Sequence, residues 1–138
     1  MLESDSLPHD IALINPVKAY VSRAAQPDLL IINPSSLAIT DSIDLSNLIK
    51  PMDPDNSPEP FHMLVNGDTV YLILQHLDRT QSPPVPLAPG EIVVIDATLD
   101  TVATVIPLAT PNPSSDLPGA WRPAAPHGRA TWDYRAGD

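Results

Sequence analysis

Cysteine is absent, which excludes disulfides, zinc–thiolate sites and thiol nucleophiles and leaves the redox compartment unread. Glycine is scarce, with five residues, whereas proline is abundant, with eighteen in 138. Prolines interrupt helices and central strands, so a mostly helical chain is disfavoured. Basic residues are also few. Seven Lys and Arg against seventeen Asp and Glu give a formal net charge of −10. That balance argues against nucleic acid, where clustered cations must neutralise phosphates, and against an anionic membrane surface. No apolar run approaches the length of a bilayer span, so membrane insertion is not expected. "MLESDSLPHDIALIN" has no basic stretch followed by an apolar core, so no secretory signal is expected within this chain.

What is present is a sentence written twice. With 43% hydrophobic residues, the length suits one ordinary domain with a sizeable core. Slid by 51 residues, Ile14-Asn15 falls on Val65-Asn66, and Tyr20-Val21 on Tyr71-Leu72. Slid by 63, "LIINPSSLAITDSIDL" (30–45) falls on "VVIDATLDTVATVIPL" (93–108) without a gap. Asn33 then meets Asp96, and Ile43 meets Ile106. The two offsets require an insertion between the second and third segments of the second unit. Internal similarity at this period is a sign of repeat architecture.

Each unit breaks into four short runs rich in β-branched and aliphatic residues: "DIALI", "KAYVSR", "LLIIN" and "ITDSIDL", then "HMLV", "TVYLIL", "EIVVID" and "TVATVIPL". The last run of each alternates apolar and polar residues, the period of a half-buried strand, and the third is continuously apolar, as for a strand covered on both faces. "NPV" and "NGD" separate the first two runs; "NPSSLA" and "DATLD" separate the last two. All four are turn chemistry, in which Asn, Asp and Gly tolerate positive φ and Pro fixes φ. The expected fold is all-β, with two four-stranded antiparallel meanders of the kind that form β-propeller blades and an irregular C-terminal tail. The division reads as a lead-in over 1–9, a first blade over 10–45, a long loop over 46–61, a second blade over 62–108 with an insertion at 76–90, and a Pro-rich tail over 109–138.

The segments "AYVSR…LLIINPSSLAITDSIDL" and "VYLIL…EIVVIDATLDTVATVIPL" resemble the YVTN-type β-propeller repeat. That repeat reads Tyr-Val-Thr-Asn, a variable loop, a Val-Ile-Asp run and a Thr-x-x-Val-x-x-Thr-Ile strand. The match covers about residues 10–108, with Ser22-Arg23 replacing Thr-Asn. The resemblance implies a bacterial cell-surface or periplasmic protein, commonly a ring of seven blades. Two blades do not close a ring. Either chains self-associate to complete one, or this chain is a truncated or frame-shifted piece of a longer protein. The loss of period from Ala109 onward favours the second expectation; the alternatives for this segment are a disordered Pro-rich tail and an arm that docks on a neighbour through Trp121 and Trp132.

In a meander, successive connections alternate ends. The short joints at 15–17, 34–38, 66–68 and 97–100 are expected at one end, and the loops at 24–28, 46–61 and 76–90 at the other. Long loops on a rigid scaffold are where binding concentrates, so the candidate binding residues are Asp53, Asp55, Glu59, His62, His76 and Arg79. "DPDNSPE" groups Asp53, Asp55, Asn56 and Glu59, hard oxygen donors that suit calcium, although the glycine and terminal Glu of an EF-hand loop are missing. A solvated acidic turn is the default reading of that segment and calcium its alternative. No His-x-His or His-x-x-x-His spacing points to another metal, so no cofactor is expected. His9-Asp10 has acid/base chemistry but no recognisable nucleophile beside it. Tyr20 and Tyr71, at equivalent positions, are expected to wedge between blades. The expected function is non-enzymatic binding of a protein or small-molecule partner. The alternative is part of a lactonase-like hydrolase whose metal or acid/base groups stand near the starts of "DIALI" and "HMLV".

Overall fold

The computed structural model describes residues 6–111. The expected tail therefore lies outside the described residues beyond Pro111, and so do Trp121 and Trp132. Among the described residues ten strands follow one another: β1 (Pro8–Asn15), β2 (Lys18–Arg23), β3 (Asp28–Asn33), β4 (Ala38–Asp44), β5 (Pro60–Asn66), β6 (Thr69–Leu74), β7 (Leu77–Asp78), β8 (Val85–Pro86), β9 (Pro89–Asp96) and β10 (Thr101–Pro111). One turn of 3-10 helix, Ser46–Leu48, interrupts the loop between β4 and β5. The first four strands form one antiparallel sheet in sequence order, and β5, β6, β9 and β10 form a second. The insertion carries its own antiparallel hairpin, β7–β8, set between β6 and β9.

The meanders follow from turn chemistry. Asn33 Oδ1 accepts the Ser35 and Ser36 N–H groups, and Asp96 Oδ1 accepts those of Thr98 and Leu99. Each of these Asx turns ends in a non-glycine residue at positive φ, Leu37 at 60° and Asp100 at 55°. Gly67, at φ 61°, meets the same backbone demand in the "NGD" turn at no steric cost. Both sheets skip a residue at the same point of the last strand. Ile31 pairs with Asp41 and Ile32 with Ile39; Val94 pairs with Thr104 and Ile95 with Val102. The sequence offset of 63 is therefore kept in register, bulge included.

Pairing also fixes which side chains share a face. In the first sheet Ala12 pairs with Tyr20, Tyr20 with Ile31, and Leu29 with Ile43. This face is buried against the second sheet, where Leu72 pairs with Val93 and Val70 with Ile95. Tyr20, Leu29, Leu72, Leu74, Val93 and Ile95 are fully buried there, with Met63, Val65 and Val105 packed against them. Tyr71 points the other way. It pairs with Leu64 and Val94 on the second sheet's outward face, so the two equivalent tyrosines do not share the role expected of them.

The inner edges of the sheets meet through β1 and β5. Ser22 Oγ donates to the Phe61 carbonyl at 2.7 Å, and the Met63 N–H donates to Asp10 Oδ2 at 2.8 Å. At the short-joint end Lys18 Nζ binds Asp100 Oδ2 at 2.8 Å and the Ala97 carbonyl at 3.0 Å, and the Tyr20 hydroxyl bonds the same Asp100 carboxylate.

The two sides of the second sheet should respond differently to truncation. Leu72→Ala, in the fully buried face, is expected to cost about 2–5 kcal/mol. Leu64→Ala, on the neighbouring strand but 66% exposed, should stay within about 0.5 kcal/mol of the parent. Urea unfolding of both proteins checks this, and equal losses would show that the faces are assigned the wrong way round.

Candidate functional site

At the long-loop end, residues 53–59 turn back over the first sheet. Ser57 Oγ lies 2.8 Å from the Ala24 carbonyl and accepts the Glu59 N–H at 3.2 Å. Asp53 Oδ1 accepts the Asp55 N–H at 3.1 Å, the Asx turn that "DPD" encodes. Glu59, at φ 51°, stands in the left-handed region and is fully buried. Its Oε2 accepts the Leu77 N–H at 2.7 Å and its Oε1 the Arg79 Nε–H at 3.3 Å. Arg79 also gives its backbone N–H to Asp55 Oδ2 at 2.8 Å, while its Nε lies 3.7 Å from the same oxygen. The two long loops are thus tied together by Glu59 and Asp55, two carboxylates around one guanidinium, with Asp53 beside them.

That charge count leaves an excess of negative charge in a site shielded from water. Burial, reinforced by repulsion from Asp55 and Asp53, pushes Glu59 up to about 9 despite the Leu77 N–H that favours its ionised form. Burial raises Asp53 as well, with the Asp55 charge adding to it. Among the described residues, Asp53 Oδ2 and Asp55 Oδ1 are buried without a donor. A proton on Glu59, hydrogen-bonded to Asp55, supplies one. Asp53, Asp55 and Glu59 each offer an oxygen within 4.8 Å of the others, so this set can also hold a divalent cation. It provides three of the six to eight oxygens calcium takes, and the Arg79 guanidinium contends for the same charge.

His76, also at positive φ, sits one corner away and is fully buried. Its Nε2 lies 2.6 Å from Glu91 Oε1, which Lys50 Nζ reaches at 3.0 Å. Burial pushes His76 down, so the ring is neutral. Burial pulls Glu91 upward, but Lys50 and His76 together outweigh it and hold the carboxylate ionised. The ring proton therefore resides on Nε2 and is donated to Glu91, which leaves His76 Nδ1 bare, in keeping with its lack of a partner among the described residues.

Five of the six expected binding residues are therefore gathered at the long-loop end, and Asp53, Glu59 and His76 are buried there rather than displayed. His62 lies elsewhere. Its ring packs 4.2 Å from Phe61 and 4.8 Å from His9, with Nδ1 3.7 Å from Asp10 Oδ2. The starts of the two first strands are thus adjacent, but Asp10 Oδ2 accepts the Met63 N–H and Oδ1 the Ile11 N–H. Sequence reasoning passed over Lys50 and Glu91. The offset of 63 was the available signal, because it places Glu91 on Asp28, which pairs with Arg23 in the first sheet.

The outward face of the second sheet was passed over as well. It holds an open groove of about 380 Å³ lined by His62, Met63, Leu64, Tyr71, Ile73 and Ile92. Hydrophobic side chains dominate it, and among the described residues His62 is the one basic side chain that lines it.

Stability should carry the signature of the Glu59 proton. Glu59 ionises near 4.5 in the unfolded chain and near 9 in the folded one, so the folded state holds an extra proton between those values. Its contribution is complete below the lower value and is lost as pH rises towards 9, with a slope approaching about 1.4 kcal/mol per pH unit. Glu59→Gln, which keeps an acceptor without the charge, should flatten the slope and melt above the parent at pH 8. A variant with the parent's slope in melting temperature against pH would place the proton elsewhere. No family model matches the chain, and no curated protein is significantly similar to it.

Proposed function

We propose that the chain is a non-enzymatic β-propeller segment, two blades of the YVTN type, that works by binding protein surfaces at the cell surface or in the periplasm. The observation that carries the binding role is the open apolar groove on the outward face of the second sheet. Leu64, at 66% exposure, stands in it beside Tyr71, Ile73 and Ile92. Contiguous exposed apolar surface of this kind marks protein contact sites. A catalytic pocket, by contrast, needs convergent polar groups, which this groove lacks. The cations of the long loops support the same reading from the other side, since Lys50 and Arg79 are engaged in ion pairs with Glu91, Asp55 and Glu59. The YVTN-like segments support the blade identity and are the sole support for the cell-surface placement.

The hydrolase alternative requires metal or acid/base chemistry where His9, Asp10 and His62 meet. The two readings differ in a simple assay. On the binding reading, chelator-treated protein keeps its melting temperature and its capacity for the dye 1-anilinonaphthalene-8-sulfonate, and Leu64→Glu lowers dye binding several-fold without changing the melting temperature. Stoichiometric calcium or zinc in purified protein, with lactone hydrolysis that chelation abolishes, would favour the hydrolase instead.

A further inference from the structure

We propose that the groove on the second sheet is the docking site for a second copy of this chain, which seats the outward face of its first sheet there. The inference rests on the reading of the groove as a protein-binding surface and names its occupant. The internal interface is the template. Ala12, Tyr20, Leu29, Ile31 and Ile43 of the first sheet are buried against the second. The register places Leu64, Tyr71, Ile92, Val94 and Ile106 of the second sheet at the equivalent positions. Those five form the groove and its continuation across β9 and β10. The covering half is duplicated in the same way. Met63, Val65, Val70, Leu72, Val93 and Ile95 receive the first sheet within the chain. Their register equivalents are Ile11, Leu13, Ala19, Val21, Leu30 and Ile32, on the first sheet's outward face. Ala19, Val21 and Leu30 of this set are already buried. The part of the face open to a second copy is therefore its β1 edge, where Ile11 and Leu13 are 59% and 61% exposed and would be covered by such a contact.

The residue pattern of the interface that holds the chain together thus recurs on both outer faces, open as the groove on the second sheet and along Ile11 and Leu13 on the first. The halves differ, so the contact is head-to-tail, the same patch never facing itself. The polar clamp of the internal interface is not duplicated. Thr69 stands where Lys18 does, and Leu37 where Asp100 does. Apolar contact alone holds the copies, so association is reversible and grows with concentration.

Light scattering after size exclusion, on the full chain over a wide concentration range, tests this. The expected result is a mass that rises from 14.8 kDa to a multiple of it. Leu64→Glu on one face and Leu13→Glu on the other should each weaken association by about tenfold or more, since each buries an unpaired charge. Mixed together, the two variants keep one intact face each and should form a one-to-one pair and nothing larger. Ile106→Glu and Ile11→Glu serve as second variants should a first fail to fold by circular dichroism. A parent protein that stays at 14.8 kDa at every concentration overturns the proposal, as does association that neither variant weakens. Association weakened by Leu64→Glu alone also overturns it, because the groove would then face another groove. That outcome, or a monomer whose dye binding depends on Leu64, leaves the groove standing as a protein-binding surface.

Discussion

The structure depends on one apolar contact, the face bearing Tyr20, Leu29 and Ile31 laid on the face bearing Leu72, Leu74 and Val93. A four-stranded meander alone has an apolar side it cannot cover, and its backbone pairing does not compensate for that exposure in water. Two meanders cover one side each. The contact also decides where the polar groups of both ends fall. Lys18 and Tyr20 reach the Asp100 turn because their strand is pressed on the second sheet. Ser57 reaches the Ala24 carbonyl because the long loop must cross the rim of the same interface.

Much of this was legible in the chain. "LIINPSSLAITDSIDL" and "VVIDATLDTVATVIPL" align without a gap, and their strands share register, bulge, Asx turn and positive-φ residue. Local chemistry dictates the face and the turn, since side-chain period sets the one and Asn or Asp the other. The first strands were harder. The offset of 51 puts Ala12 on Met63, but the skipped residue between Leu13 and Asn15 makes Ala12 the structural counterpart of Leu64. A bulge leaves no composition mark, yet it exchanges the two faces of everything before it. Tyr71 does match Tyr20 in register, since they pair with Val94 and Ile31, but that match fixes only its side of the sheet. Core or groove depends on whether another sheet covers that side. The second meander was expected over 62–108, and its outer strands extend beyond that range at each end, from Pro60 to Pro111.

The candidate site was legible in membership more than in character. Spacing placed Asp53, Asp55, Glu59 and Arg79 on neighbouring long loops, and the structure joins them. Their burial was not readable, because it follows from two Pro-rich loops closing over the rim of an interface between distant segments. His62 was grouped with them as a neighbour in sequence. It lies on β5 beyond the loop and faces the groove instead.

The division of labour between ends and faces follows from what burial does to charge. A carboxylate removed from water must be paired, protonated or bound to a cation. At the long-loop end all the nearby cations are drawn in: Arg79 onto Glu59 and Asp55, and Lys50 onto Glu91. Groups so engaged hold loops in place and have little left to offer a ligand. Protonation of Glu59 makes the lock tighter, because Asp53, Asp55 and Glu59 otherwise crowd three negative charges beside one cation, Arg79. The apolar faces carry the opposite balance. Ile11 and Leu13 on one side and Leu64 and Ile106 on the other gain from leaving water and surrender no polar partner in doing so. On the function proposed above, recognition falls to the sheet faces, and the loops, the natural place to look for a site in a chain of this pattern, serve as the fastening that keeps those faces in register.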